Sequence, residues 1–412
     1  MTELTTKVLI VGAGPAGLAA AVAASEENEV TLIDDNPDPG GQIWRAQKGR
    51  TSSPEAAKLI AAIDPRRMKL MSGVTVFAES GQSTLLAASP KGTVEIKYEK
   101  VIIATGARER FLPFPGWTLP NVFGAGGLQA LVKGGLDVRG KRVVIAGTGP
   151  LLLAVADYLG TKGASVLLTA EQTSAAKING FVLGLWRSPG KLAQAVSLRR
   201  RLLGTNYLTD CWVTSVGGNN KVEYVEVTRK GKTWRIECEM VACGFHLVPS
   251  IELATLLGCK IDNCRVVVDD LQKTSIENIY CAGEPTGIGG VESSLIEGTI
   301  AGLAASDQIE QAEHHFKKRI KAHRFADALN SAFELREELR TLPNPETIVC
   351  RCEDVEYGQL TEFSNFREAK LQTRCGMGPC QGRICGTATE FLFRWKSGRV
   401  RAPIFPVKIE EL

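Results

Sequence analysis

Apolar and polar positions fall in repeating blocks along the chain. Val8-Leu9-Ile10-Val11 is an unbroken apolar run, which reads as a strand buried on both faces. Gly12-Ala13-Gly14-Pro15-Ala16-Gly17 follows, and an Ala-rich stretch then predicts a helix over 15–25. A second apolar strand, 29–33, ends at Asp34. A helix is predicted over 54–63, and strands over 74–77 and 100–104. The opening block then returns, with a strand at 142–146, a turn at Gly147-Thr148-Gly149-Pro150, a helix at 151–159 and a strand at 165–168. Residues 211–239 read as strands, with 222–228 and 233–239 flanking a Lys230-Gly231 hairpin turn. Another apolar run, 240–243, ends at Gly244. A short strand leads into Gly283-Glu284, and a helix is predicted over 292–305. Residues 307–340 are charged and helix-like, and Pro343-Asn344-Pro345 separates them from the C-terminal segment.

The first glycine run has the chemistry of a dinucleotide cradle. Gly12 permits a tight turn, Gly14 lets a pyrophosphate approach the backbone, and Gly17 lets helix and strand pack closely. Pro15 and Ala16 open the helix, whose N-terminal end favours an anion. Asp34 lies 22 residues after Gly12, the usual distance for a carboxylate that grips a ribose hydroxyl, and Asp35 adjoins it. The loop beyond carries Gly41 and Gln42, and its Gly40-Gly41 pair allows close approach to a flat ligand. A plain surface loop is the alternative there.

The second glycine turn starts 135 residues after the first, so it marks a second nucleotide-binding fold and not a short repeat. Leu152 stands where the third glycine belongs, a bulky side chain at the helix–strand contact. No clear ribose-binding acid ends the next strand, although Glu171 is close. The expectation is a retained fold that no longer binds NAD(P).

Length and composition narrow the class. The 412 residues suggest two or three domains at roughly 150 residues each. With 44% hydrophobic and 23% charged residues the chain is ordinary globular material. Its net charge of +4 and lack of a basic run with interleaved aromatics give no reason to expect nucleic acid. Arg199-Arg200-Arg201 reads as a solvated helix face. No apolar run reaches the roughly 20 residues that span a bilayer, and the apolar N-terminus carries glycines instead of a cleavage site. A cytoplasmic location is therefore expected. His314, His315 and His323 read as solvated, and His246 as structural; no catalytic residue is assigned.

Five of the 11 cysteines fall between 350 and 385. Thiolates are soft ligands that suit iron–sulfur clusters or zinc. Cys350 and Cys352 form one close pair, Cys380 and Cys385 another, and the helical stretch between lets them converge. Glycines at 376, 378, 382 and 386 let the backbone wrap a site and point N–H groups at sulfur. Five thiols for four positions leave one spare, and the pairing sets Cys375 aside. Structural zinc stays open as the alternative to a cluster. The other six cysteines read as buried or partly buried thiols. The second nucleotide fold has no Cys-x-x-Cys, which argues against a dithiol relay.

Gly12 to Gly17, Asp34 with Gly40-Gly41-Gln42-Ile43-Trp44, Pro115-Gly116-Trp117-Thr118-Leu119-Pro120 and Cys375-Gly376-Met377-Gly378-Pro379-Cys380-Gln381-Gly382-Arg383 together resemble one family. It is the flavin-carrying alpha subunit of bacterial hetero-oligomeric amine dehydrogenases, which include opine oxidases, D-hydroxyproline dehydrogenase, dye-linked proline dehydrogenase and the hydrogen cyanide synthase B subunit. The resemblance covers nearly the whole chain. It implies an α/β fold, with two Rossmann-like dinucleotide-binding domains of the glutathione/thioredoxin reductase superfamily. A small C-terminal cysteine-rich helical domain resembles the bacterioferritin-associated-ferredoxin type of [2Fe-2S] domain. The implied limits are 1–110 with 245–310 for a discontinuous FAD domain, 111–244 for the second fold, 311–344 for a helical connector, and 345–412 for the cluster domain and tail.

The resemblance also implies further FAD contacts. Thr105 and Gly106 match the Ala-Thr-Gly step at which such flavoproteins leave the flavin domain. Gly283 and Glu284 match a strand-Gly-Asp whose carboxylate binds the ribityl chain, here one methylene longer, and Val291 opens the helix beyond. Cys350, Cys352, Cys380 and Cys385 match the cluster ligands. A partner beta subunit with its own FAD is implied to oxidise the carbon–nitrogen bond of an opine, D-hydroxyproline or related amino acid. Electrons pass, often through an FMN at the subunit interface, to this chain's own cofactors and an acceptor other than O2. A small gamma subunit occurs in some members. Two other readings stay open, a stand-alone NAD(P)H-dependent FAD reductase and a structural partner that stores cofactors without turnover.

Overall fold

Strand β1 (Thr2–Val11) alternates its buried side chains between two layers. Val8 and Ile10 join one core, and Leu9 and Val11 join the other, so the apolar run is covered on both faces. β1 lies parallel to β2 (Val30–Asp34), with Ile10 opposite Leu32, and to the strand Gly92–Ile103. It begins six residues earlier than its apolar run because Thr2 to Thr6 pair with Val94 to Tyr98. Helix α1 (Pro15–Ala24) crosses between β1 and β2 and is buried almost all round, which its alanines permit. A Cβ on Gly17 would lie 1.7 Å from the Gly12 carbonyl oxygen, so only glycine lets the helix sit this close to the strand. The long helix Gly290–Ala305 packs on α1 by the same means, for a Cβ on Gly298 would lie 2.1 Å from the Ala16 oxygen.

The computed structural model describes residues 2–45, 53–184, 206–396 and 400–411; Arg199-Arg200-Arg201 lies outside the described residues. The chain forms two compact units. The first comprises Met1–Arg108, Val248–Asp327 and Arg399–Leu412, and the second Glu109–Leu247 and Ala328–Gly398. In the first unit the sheet runs Met68–Ser72, β2, β1, Gly92–Ile103, Thr84–Ser89 and Thr75–Gly81, with Ile279–Cys281 pairing the fourth of these. The edge strand Met68–Ser72 carries no run of apolar residues and escapes sequence reading. The tail, grouped by sequence with the cysteine segment, packs instead in the first unit: the Ile404 N–H donates to the Phe77 carbonyl at 2.7 Å, and Ile404 is buried. The expected connector is divided as well, since the unit boundary falls inside the helix Phe316–Ala332.

The second unit repeats the motif. β3 (Arg142–Gly147), β4 (Ser165–Glu171) and β5 (Met240–Gly244) belong to a parallel sheet ordered Tyr207–Thr209, β4, β3, β5, Val122–Gly124, and helix α2 (Pro150–Thr161) connects β3 to β4. The strands Cys211–Gly217, Tyr224–Arg229 and Lys232–Glu237 form an antiparallel sheet of their own. Leu152, in the place of the third glycine, is fully buried. Gly244 makes room for it: a Cβ there would lie 3.1 Å from Leu152 Cδ2 and 3.3 Å from Ala125 Cβ. Gly244→Val is therefore expected to overpack this contact and cost about 1–3 kcal/mol, read as a lower urea midpoint at unchanged slope.

The cysteine segment has a small core of its own in the same unit. Val349, Val355, Leu360, Phe366, Ala388 and Trp395 pack around the hairpin Ile348–Cys350/Val355–Glu356 and the helices Phe366–Thr373 and Cys385–Phe393. The Trp117 indole N–H donates to the Ile348 carbonyl at 2.6 Å, and Phe391 reaches the core under the antiparallel sheet.

Candidate functional site

The first glycine turn is held from below by an acid. Asp34, at the end of β2, accepts the Ala13 N–H on Oδ2 at 2.5 Å and the Asn36 N–H on Oδ1 at 2.8 Å. Asp34 is buried, with both oxygens engaged by the chain, while Asp35 beside it is exposed. The Gly40 N–H donates to the Ala13 carbonyl at 2.8 Å and closes the next loop over the turn. There Gly41, at φ +60°, approaches so near that a Cβ would lie 3.0 Å from Gly14 Cα. Gln42 is exposed. Pro15 occupies the first turn of α1, and Ala16 is buried against the helix Gly290–Ala305. Thr105 and Gly106 are joined to one segment: the Thr105 hydroxyl donates to the Ser250 carbonyl at 2.7 Å, and the Gly106 carbonyl accepts the Ser250 N–H at 3.0 Å.

The second half of this site centres on Glu297, which sequence reading missed. Its carboxylate is buried in the middle of the helix Gly290–Ala305. Oε2 accepts the Gly283 N–H at 2.8 Å and the Thr286 hydroxyl at 2.8 Å. Oε1 accepts the Ser293 hydroxyl at 3.1 Å and lies 2.6 Å from His323 Nε2. His323 is thus the partner of a buried carboxylate, not a freely solvated side chain. The available signal was an acid in the middle of an apolar stretch of helix, at Leu295-Ile296-Glu297-Gly298.

Glu284 accepts the Gly290 N–H on Oε1 at 2.9 Å, while Oε2 is buried without a hydrogen-bond partner. Val291 follows in the first turn of the same helix and packs on the core beneath it. A buried, unpaired acceptor beside a helix N-terminus suits a hydroxyl-bearing ligand such as a ribityl chain. Together with the cradle at Gly14 and Gly41, it makes the residues of this unit fit a bound FAD.

Burial raises the Glu284 carboxyl to about 7 from the ordinary 4.5. A carboxyl that holds its proton more tightly in the folded than in the unfolded chain lowers stability as pH rises between those two values. Glu284→Gln is expected to flatten this part of the stability profile of the flavin-free protein, measured by urea melts from about pH 4.5 to about pH 7.5. Burial raises Glu171 into the same range, so a residual slope from that group stays.

In the second unit β4 runs on to Glu171, so an acid does end this strand. Its oxygens are taken by the chain: Oε2 accepts the Gly149 N–H at 2.7 Å and Oε1 the Thr173 N–H at 2.8 Å. Like Asp34, it fastens the glycine turn to the strand end. His246 is held in the left-handed region at φ +68°, its Nε2 is 2.6 Å from the Phe333 carbonyl, and burial lowers its pKa.

Five cysteines lie in the C-terminal segment, and three of their sulfurs gather. Those of Cys350, Cys375 and Cys385 all lie within 4.8 Å of one another, and all three residues are buried. Hydrogen bonds from the Cys375 and Cys385 thiols hold Cys350 far below the usual thiol range, and hydrogen bonds with Cys350 and Cys375 drive Cys385 far above it. The Gly376 and Glu353 backbone N–H groups also point at the Cys350 sulfur. Exposed Cys352 and half-buried Cys380 share hydrogen bonds, and Gly378 lies so close to Cys352 that a Cβ would sit 2.1 Å from its Cβ. The structure therefore brings Cys375, set aside by the pairing argument, beside Cys350 and Cys385. A donor set of clustered thiols with backbone N–H groups on sulfur fits an iron–sulfur cluster.

Comparison with known proteins agrees with this architecture. Residues 6–314 match the family described as pyridine nucleotide-disulphide oxidoreductase. The chain is 30% identical to the A subunit of opine oxidase from Rhizobium meliloti, over 98% of this chain and 86% of that one. It is 29% identical to hydrogen cyanide synthase subunit HcnB of Pseudomonas protegens, over 95% and 92%. Among solved structures, L-proline dehydrogenase from P. horikoshii superposes with a TM-score of 0.73 at 21% identity, covering 100% of this chain and 80% of that one. Thioredoxin reductase from T. acidophilum gives 0.57 at 23% identity, over 74% and 99%.

Proposed function

The chain belongs to the pyridine nucleotide-disulphide oxidoreductase family, and we propose that it serves as the electron-transfer subunit of a hetero-oligomeric amine dehydrogenase. It is an oxidoreductase that binds FAD in its first unit. Its second unit holds a [2Fe-2S] cluster on four of the five cysteines of the C-terminal segment. The catalytic site lies on a partner beta subunit with its own FAD, where an opine, D-hydroxyproline or related amino acid loses a hydride equivalent. An FMN at the interface between the two chains, together with a small gamma subunit, completes the assembly.

The observation that carries this reading is the presence, in one chain, of a flavin cradle and of a group of three buried thiols with a further pair of cysteines in the same segment. FAD exchanges electrons singly or in pairs and an iron–sulfur cluster singly, so the two suit a relay. The names of the relatives support it, since the opine oxidase and hydrogen cyanide synthase chains are both described as subunits. Within the chain, Asp34 and Glu297 shape the cradle through backbone N–H groups. Asp34, with Asp35 beside it, grips the adenosine ribose, the N-terminal end of α1 faces the pyrophosphate, and Glu284 takes a ribityl hydroxyl. Cys350, Cys352, Cys380 and Cys385 remain the ligand set of the pairing argument, with Cys375 as the competing fourth ligand. No helix among the described residues is long and apolar enough to cross a membrane.

The test is an anaerobic titration of the flavin absorbance with opines and D-amino acids. Bleaching is expected when the chain is co-purified with its beta subunit, but not when the chain is alone. Equal bleaching of the isolated chain by the amine would place the substrate site here and overturn the assignment.

A further inference from the structure

A doubly wound sheet binds its ligand outside the carboxyl ends of its strands, where the strand order reverses. In the second unit that point lies between β3 and β5, and the loops flanking it carry Thr148 and His246. A pyridine nucleotide would lay its pyrophosphate on the glycine turn there and its nicotinamide across the end of β5. The chain itself occupies this crevice. The Phe333 carbonyl is held from both sides, by the Thr148 hydroxyl at 3.0 Å and by His246 Nε2 at 2.6 Å. From the end of β4, Gln172 Nε2 donates to the Glu334 carbonyl at 3.0 Å, and Gln172 Oε1 accepts the Arg336 N–H at 3.1 Å. The Arg336 guanidinium donates back to the Gln172 carbonyl at 3.1 Å. Thr148, Gln172 and Phe333 are all buried.

We propose that residues 333–336 form a built-in strap that replaces the nicotinamide half of a pyridine nucleotide in the second nucleotide fold. The family's pyridine nucleotide therefore does not fit this chain. The carboxyl ends of β3, β4 and β5 each make a hydrogen bond to the strap that a ligand would have to displace. The space over Gly149 is open, so the exclusion rests on the strap and not on the glycine turn. The crevice has become a socket that fastens the segment leading into the cysteine cluster. This inference goes beyond the electron-transfer reading and does not depend on which amine is oxidised.

Two measurements on the FAD-loaded full chain test it. Anaerobic mixing with NADH or NADPH, at concentrations up to about 1 mM, is expected to leave the flavin absorbance unchanged and to show no saturable quenching of nucleotide fluorescence. Hydrogen exchange at the Arg336 amide is expected to be slow, to be insensitive to NADH, and to quicken about tenfold or more in Gln172→Ala, which removes its acceptor. Rapid bleaching by NADH, or protection of residues 333–336 by it, would overturn the proposal. So would unchanged exchange in Gln172→Ala. Neither measurement contains an amine or a beta subunit, so the strap and the electron-transfer role fail separately.

Discussion

Replacing Cys350 with Ser is expected to strip the protein of iron and leave its FAD in place. Cys350 is a member of both ligand sets, the two close pairs of the sequence and the buried triad of the structure. Its sulfur receives hydrogen bonds from two thiols and two backbone N–H groups, which together favour a thiolate, the form that binds metal. A serine oxygen is a hard, poor thiolate substitute, so iron should fall from about two atoms per chain to near zero. FAD is held by the other unit and should stay, which separates loss of the cluster from general unfolding. Cys375→Ser then distinguishes the two sets. Retained iron means that Cys350, Cys352, Cys380 and Cys385 hold the cluster, and lost iron means that the buried triad does.

The second large effect is expected at Glu297. Glu297→Ala would leave the Gly283 N–H, the Thr286 and Ser293 hydroxyls and His323 without their acceptor beneath the flavin cradle. Unsatisfied buried donors cost about 1–3 kcal/mol each before relaxation, so a total loss of roughly 2–4 kcal/mol is expected in urea unfolding. Because the Gly283-Glu284 loop lines the proposed ribityl site, FAD should also dissociate about tenfold more readily, measured by flavin release during gel filtration. Glu297→Gln keeps one acceptor oxygen and should fall between the two proteins. Unchanged flavin retention in Glu297→Ala would show that the carboxylate only stabilises the fold.

How much of this was legible in the sequence depended on the range of the contact. The glycine turn was readable because the approach of α1 to β1 leaves no room for a side chain at Gly17, and that demand appears as a residue type at a fixed offset. Leu152 was visible as a departure from the same rule. Its compensation by Gly244, 92 positions away, was not. Asp34 was correctly placed at the end of β2, but the backbone N–H groups that its two oxygens accept, from Ala13 and Asn36, could not be read from the chain. Glu297 pairs with His323 across 26 positions, and Thr148 meets Phe333 across 185. Such bonds follow no local period, so neither the His323 contact nor the strap had a signal to read. The cysteine segment was legible as a cluster, but the approach of Cys375 to Cys350 and Cys385 was not, because adjacency in sequence carries no sign of it.

The most direct test of the central claim is made on the complex of this chain with its beta subunit. Iron and acid-labile sulfide are assayed first, and the electron paramagnetic resonance spectrum is then recorded before and after anaerobic addition of the amine substrate. The account predicts iron and sulfide in equal amounts and a reduced two-iron signal that appears only with substrate and is missing in Cys350→Ser. Zinc in place of iron, or a cluster that the substrate never reduces while the flavins bleach, would contradict it.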